Sequence, residues 1–136
     1  VINPAERGFA LIRRFALLAA ISAIALATAG QDANQKHTIT LQFNYDFRLT
    51  QACSEKVTKD CVQQFIAYDI SAGVANRTKL AVIPVPENAE GFVKGIAAKT
   101  PPLLFESGKH LLAVSAQMPN GKESNPILCT AWVQVP

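Results

Sequence analysis

The feature that most constrains this chain is a period of two. Between residues 38 and 46 the apolar side chains Ile39, Leu41, Phe43 and Tyr45 alternate with Thr38, Thr40, Gln42 and Asn44. Successive side chains of an extended strand point to opposite faces, so this spacing predicts a half-buried strand and does not fit a helix. Similar short runs follow at 62–70, 79–85, 92–98, 110–117 and 127–135. In the second, Phe65 and Ala67 share one face, with Ile66 and Tyr68 on the other. Pro84 and Pro86 close the third, and a residue that cannot donate to a ladder suits an edge. Gly95 marks a possible bulge in the fourth. Leu112, Val114 and Ala116 share a face of the fifth. In the last, Ile127, Cys129, Ala131, Val133 and Val135 fall on one face and Trp132 on the other. Turn formers separate the runs at 71–77, 87–91, 101–102, 106–108 and 118–126. Short strands punctuated by Gly, Pro and Asn predict an all-β sandwich or barrel.

The first thirty residues obey a different rule. Residues 15–29 (FALLAAISAIALATA) are almost wholly apolar. Arg7, Arg13 and Arg14 precede the run, and Ala27-Thr28-Ala29 follows as a small-x-small site. This is the pattern of a bacterial-type secretory signal peptide cut before Gly30. The run is shorter than the roughly 20 apolar residues of a membrane span. The expected organisation is therefore a signal peptide at 1–29 and one domain at 30–136. Export to the periplasm or beyond follows, with membrane contact only through the leader before cleavage.

The whole chain carries 13 basic and 10 acidic residues, a formal net charge of +3. Arg7, Arg13, Arg14 and Glu6 leave with the leader, so 10 basic residues face 9 acidic ones in the remainder. No stripe of Lys and Arg is left for a phosphate backbone, and nucleic-acid binding is not expected. A domain of this size buries roughly 65% of its unfolded surface, enough for a core without metal.

Three segments resemble the fibronectin type III family, an immunoglobulin-like β-sandwich. VQQFIAYDISAG (62–73) is similar to that family's third strand, with its aliphatic residue, aromatic, and aliphatic-Tyr pair before a turn. GKHLLAVSAQMPNGKESNP (108–126) resembles its sixth strand and the Asn-rich loop after it. TITLQFNYD (38–46) resembles its second strand. Phe43 then stands where the family has a core Trp. His110 stands at the corner Tyr before the sixth strand, where an imidazole nitrogen would have to replace the corner hydrogen bond. The resemblance implies a two-sheet sandwich with loops at its two ends.

Cys53, Cys61 and Cys129 are the three cysteines. An exported chain meets an oxidising compartment, so a disulfide is expected. Cys53 with Cys61 is the local choice, stapling a long polar loop. Cys53 with Cys129 is the rival. The unpaired Cys129 of the first choice would be a small buried apolar residue. His37 and His110 are far apart and no CxxC pair exists, so no metal site is expected. GxSxG, HExxH and Walker patterns are all missing, and no cofactor or catalytic residue is predicted. Asp46, Glu55, Asp60 and Asp69 read as solvated loop carboxylates. Trp132 and Tyr68 read as residues covering a sheet, or alternatively as stacking residues for a sugar or protein.

These observations predict a non-catalytic binding or spacer module outside the cytoplasm. Loops 46–60 and 118–126 should share one end of the sandwich and meet a protein or polysaccharide partner. Arg48, Glu55, Lys56, Asn120, Lys122 and Glu123 are the candidate contacts. Two other readings are kept. One is a small secreted enzyme, which would need a pocket joining His110 to a carboxylate. The other is a surface-fibre subunit that adds a strand at the edge near 79–85.

Overall fold

The computed structural model describes residues 35–136. The expected signal peptide at 1–29 lies outside the described residues. Among the described residues the elements are β1 (Lys36–His37), β2 (Thr40–Asp46), β3 (Gln64–Asp69), β4 (Thr78–Pro84), β5 (Phe92–Lys99), β6 (Leu103–Leu104), β7 (Gly108–Gln117) and β8 (Thr130–Val135). Two single 3-10 turns, Val74–Asn76 and Pro126–Leu128, complete them. The described chain is all-β.

Three antiparallel sheets form. One has four strands in the order β4-β3-β7-β8. A second pairs β2 with β5, and β1 pairs with β6 in a two-residue ribbon. The alternating faces explain how the sheets meet. Ile39, Leu41, Phe43 and Tyr45 of the β2 segment are all buried, as are Phe65 and Ala67 of β3 and Leu112 and Val114 of β7. They join Leu80, Ile83, Ile96, Val133 and Val135 in one cluster. Phe65 is its hub. Phe43 meets the Phe65 ring edge-on at 4.9 Å between centroids, and Tyr45 does so at 5.1 Å. Edge-to-face rings of this kind add about 0.5–1.5 kcal/mol per pair beyond the area they bury. The architecture is that of a β-sandwich-like protein, with the β2-β5 pair covering the inner face of the four-stranded sheet.

β3 is buried on both faces. Ile66, Tyr68 and Ile70 form a second, smaller cluster with Ala113 on the outer side. Tyr68 is thus a covered residue rather than an exposed stacking platform.

The bulge anticipated at Gly95 is present. Phe43 pairs with Ile96 and Tyr45 with Val93, so two residues of β5 face the single Asn44 of β2. Gly95 has φ 68°, and its N–H donates to the Asn44 side-chain oxygen at 2.9 Å. A residue without a Cβ takes that conformation at little cost.

Several expectations need correction. Ile127 is not on the core face of the last strand. It sits in the 3-10 turn Pro126–Leu128 and is 56% exposed. The Asn125 side chain accepts the Ile127 N–H at 3.1 Å, and Pro126 fixes the backbone ahead of it. This local turn chemistry delays the strand until Thr130. Lys36, ahead of the first alternating run, pairs with Leu104 in the β1-β6 ribbon. Asp46 and Asp69 are not solvated loop carboxylates. Both end strands, Asp46 is buried, and each is held by a cationic partner.

Candidate functional site

Two loops and a turn gather at one end of the sandwich. The first loop begins where β2 ends. The Phe47 N–H donates to the Gly91 carbonyl at 2.8 Å, tying the loop base to the β4-β5 turn. The Arg48 Nε donates to Asp46 Oδ1 and its Nη2 to Asp46 Oδ2, both at 2.8 Å. The Arg48 backbone N–H also donates to Asp46 Oδ1, at 3.0 Å. These bonds hold the Asp46 carboxyl below the usual carboxylate range despite its burial. Arg48 is committed to its own strand end but remains exposed on its other side.

The far part of the loop is stapled. Cys53 and Cys61 form a disulfide, and Cys129 is a free, buried thiol. Burial alone pushes the Cys129 thiol up to about 12, leaving it inert at neutral pH. The Cys53 N–H donates to the Val62 carbonyl at 3.0 Å and the Val62 N–H to Gln51 at 2.8 Å. Between the cysteines, the Ser54 N–H bonds the Val57 carbonyl at 2.9 Å and the Ser54 hydroxyl accepts the Val57 N–H at 3.1 Å. Glu55 and Lys56 occupy the tip of that turn and are exposed. Asp60 adopts φ 51° immediately before Cys61, a left-handed conformation that Asp tolerates better than most residues.

The second loop is built by its own side chains. Asn120 Oδ1 accepts the Lys122 N–H at 2.9 Å, Gly121 has φ 87°, and the Met118 N–H bonds the Lys122 carbonyl at 2.8 Å. The Ser124 hydroxyl accepts the Ala116 N–H at 2.8 Å. The two loops meet. Thr58, Lys59 and Asp60 face Met118, Pro119 and Asn120 across a cleft of about 220 Å³. A wider cleft of about 750 Å³ separates the first loop from the 88–91 turn and is lined by Arg48, Ser54, Asp60, Asn88 and Glu90 among others.

The candidate contacts therefore divide. Arg48 lines the wider cleft, Asn120 lines the narrower one, and Glu55, Lys56 and Lys122 are exposed on the loops. Glu123 is engaged elsewhere. Its Oε1 accepts the Tyr68 hydroxyl at 2.7 Å and the Ser115 hydroxyl at 2.6 Å on the outer face of the four-stranded sheet. Arg77 reaches toward its other oxygen at 4.0 Å and lies over the Tyr68 ring at 4.9 Å. Burial and the bond to Glu123 raise the Tyr68 pKa. Sequence reasoning put Thr58, Lys59 and Asp60 in the loop at this end without naming them as contacts, and did not bring the 88–91 turn to it. The turn itself was read from its sequence, and Asn88 and Gly91 in it both adopt positive φ; its place beside the first loop was not.

A third cavity, of about 420 Å³, lies beside His110. Asp69, Ser71, Lys79, Leu104, Phe105 and His110 are among its lining residues. His110 Nδ1 is 2.7 Å from Asp69 Oδ2, and Nε2 is 2.6 Å from the Glu106 carbonyl. Both oxygens accept, so this geometry favours the doubly protonated, charged ring. Burial opposes this charge. The Glu106 carbonyl and the Asp69 carboxylate together outweigh burial and leave the His110 pKa raised. Ser71 donates its hydroxyl to Asp69 Oδ1 at 2.6 Å and accepts the Leu111 N–H at 2.9 Å. Serine thus adjoins the carboxylate rather than the imidazole, and no nitrogen is left to take its proton. Among the described residues, no three His, Cys, Asp or Glu side chains converge as metal ligands would.

Comparison with protein-family models, with curated proteins and with solved structures finds no match.

Proposed function

We propose that this chain is an exported, non-catalytic recognition module of the immunoglobulin-like, fibronectin type III-like kind, and that it meets a protein or polysaccharide through the end formed by loops 46–60 and 118–126. The observation that carries the reading is the meeting of the two loops across a shared cleft, one stapled by a disulfide and the other by Asn120 and Ser124. Loops held rigid by a scaffold are a common basis of recognition, because little ordering entropy remains to be lost on binding. Two features support the family reading. The sheet order β4-β3-β7-β8 opposite β2-β5 is compatible with such a sandwich. His110 bonds back to the backbone four residues upstream, as the family's corner Tyr does with its hydroxyl. A disulfide is consistent with an oxidising compartment outside the cytoplasm.

The non-catalytic part of the proposal rests on His110. The pocket and the carboxylate that an enzyme would need are present together. Both ring nitrogens, however, are spent on oxygen acceptors, so the dyad supports a structural latch better than a general base.

Glycan arrays and displayed peptide libraries probed with the purified protein test the proposal. A ligand is expected whose binding falls at least about tenfold, roughly 1.4 kcal/mol, when Glu55, Lys56 and Lys122 are replaced together by Ala. Binding that ignores those replacements contradicts the assignment of this end. Turnover of a bound ligand contradicts the non-catalytic reading.

A further inference from the structure

The four-stranded sheet ends in an edge that is poorly defended. Among the described residues β8 pairs only with β7. Hydrogen bonding alternates along an antiparallel strand, so one bond fixes the parity of the rest. The Val114 N–H donates to the Cys129 carbonyl at 3.0 Å. With the register Leu112 to Ala131 and His110 to Val133, the backbone groups of Ala131, Val133 and Val135 also point to β7. Those of Thr130, Trp132 and Gln134 point away from the sheet.

Natural edges are shielded by Lys, Pro or bulges. β4 has Lys79 and Pro84, and β5 has Lys94, Lys99 and the Gly95 bulge. β2 turns only Thr40, Gln42 and Asn44 to the outside. β8, with the sequence TAWVQV, has no charge and no Pro, and its Trp132 is 65% exposed. Val82 of β4 and Leu104 of β6 are also exposed, but β4 carries Lys79 and Pro84 and β6 is two residues long. Among the described residues β8 joins a longer uncharged edge to the most exposed large apolar side chain.

We propose that β8 pairs antiparallel with the β8 of a second copy of this chain, with Trp132 on the two-fold axis. Self-pairing restricts the register. Directly opposed residues share a face, so core-facing residues must oppose core-facing ones and the axis must pass through a residue. Centred on Trp132, the pairing joins Trp132 to Trp132 of the partner subunit and Thr130 to Gln134 of the partner subunit. Every outward N–H and C=O of the strand is then used. Centred on Ala131, it strands Gln134 opposite the 3-10 turn; centred on Val133, it sets Thr130 opposite Pro136, which has no N–H to donate. An uncharged strand also sets no like charges against each other, which a lysine-bearing edge would do. The product is one continuous sheet through both copies, with the two indoles stacked on its outer face.

The chain holds a single Trp, so a Trp–Trp exciton couplet in far-ultraviolet circular dichroism requires two chains. Sedimentation velocity and dichroism of the purified full chain over a dilution series test the pairing. A dimer is expected, with a couplet that fades as the protein dissociates. Thr130→Lys with Gln134→Lys sets like charges opposite each other twice and is expected to weaken association roughly tenfold or more, removing the couplet. Thr130→Glu with Gln134→Lys sets opposite charges there and is expected to restore both. A monomer throughout, a dimer without a couplet, or a dimer indifferent to both variants overturns the proposal.

Discussion

His110 is the side chain whose chemistry is most sharply defined by its neighbours. It joins the end of β3, through Asp69, to the turn before β7, through the Glu106 carbonyl, and Phe105 packs edge-on at 5.6 Å. Its raised pKa makes this latch depend on pH. The stabilisation is complete below the ordinary histidine value of 6.5 and is lost as pH rises through the raised folded value. Asp69 acts in the opposite sense. Burial raises its pKa, but Ser71 and His110 overcome that and hold it below 3.8. Its contribution is complete above 3.8 and is lost as pH falls through the lowered value. Urea midpoints measured across pH should therefore be highest between about 4 and 6.5. In His110→Gln the decline on the alkaline side should flatten, because no ring remains to lose a proton. A decline unchanged in that variant would assign the pH dependence to another group. At the core, Phe65→Ala removes the ring that Phe43, Tyr45 and Phe47 all approach, at a cost of roughly 3–5 kcal/mol by chemical denaturation.

At the scale of elements, the strands that alternate strictly were legible and the pieces governed by distant partners were not. The buried faces of the β2 segment and of β7 follow from the period of two alone. The Gly95 bulge was legible because a lone Gly within a strand has few other uses. Ile127 was misplaced because alternation continues through it, while Asn125 and Pro126 impose a turn on the same residues. The β1-β6 ribbon was invisible, since two-residue strands carry no period. Glu123 read as a loop charge because its partners Tyr68 and Ser115 are brought to it by β3 and β7. Of the loop end, the loops and the staple were legible, but not the residues that face each other across the cleft. The disulfide makes a separate prediction. Replacing Cys53 and Cys61 together by Ser should cost roughly 2–3 kcal/mol by the chain-entropy argument. Hydrogen exchange should accelerate at residues 54–60 and remain slow in β3 and β7. Equal acceleration in those strands would show that the staple supports the sandwich and not the loop alone.

Across the whole molecule, one aromatic hub joins two sheets, a disulfide and short side-chain bonds shape one end, and a half-buried ion pair lines a cavity beside β6 and β7. Such a division leaves the core to stability and the loops free for the proposed recognition. It depends first on the sheets facing each other as described. Nuclear Overhauser contacts between assigned ring protons measure this most directly. The account predicts cross-peaks from Phe65 of β3 to both Phe43 and Tyr45 of β2, together with backbone contacts that pair β3 with β7. Rings of β2 that contact neither Phe65 nor any other residue of the four-stranded sheet would contradict it.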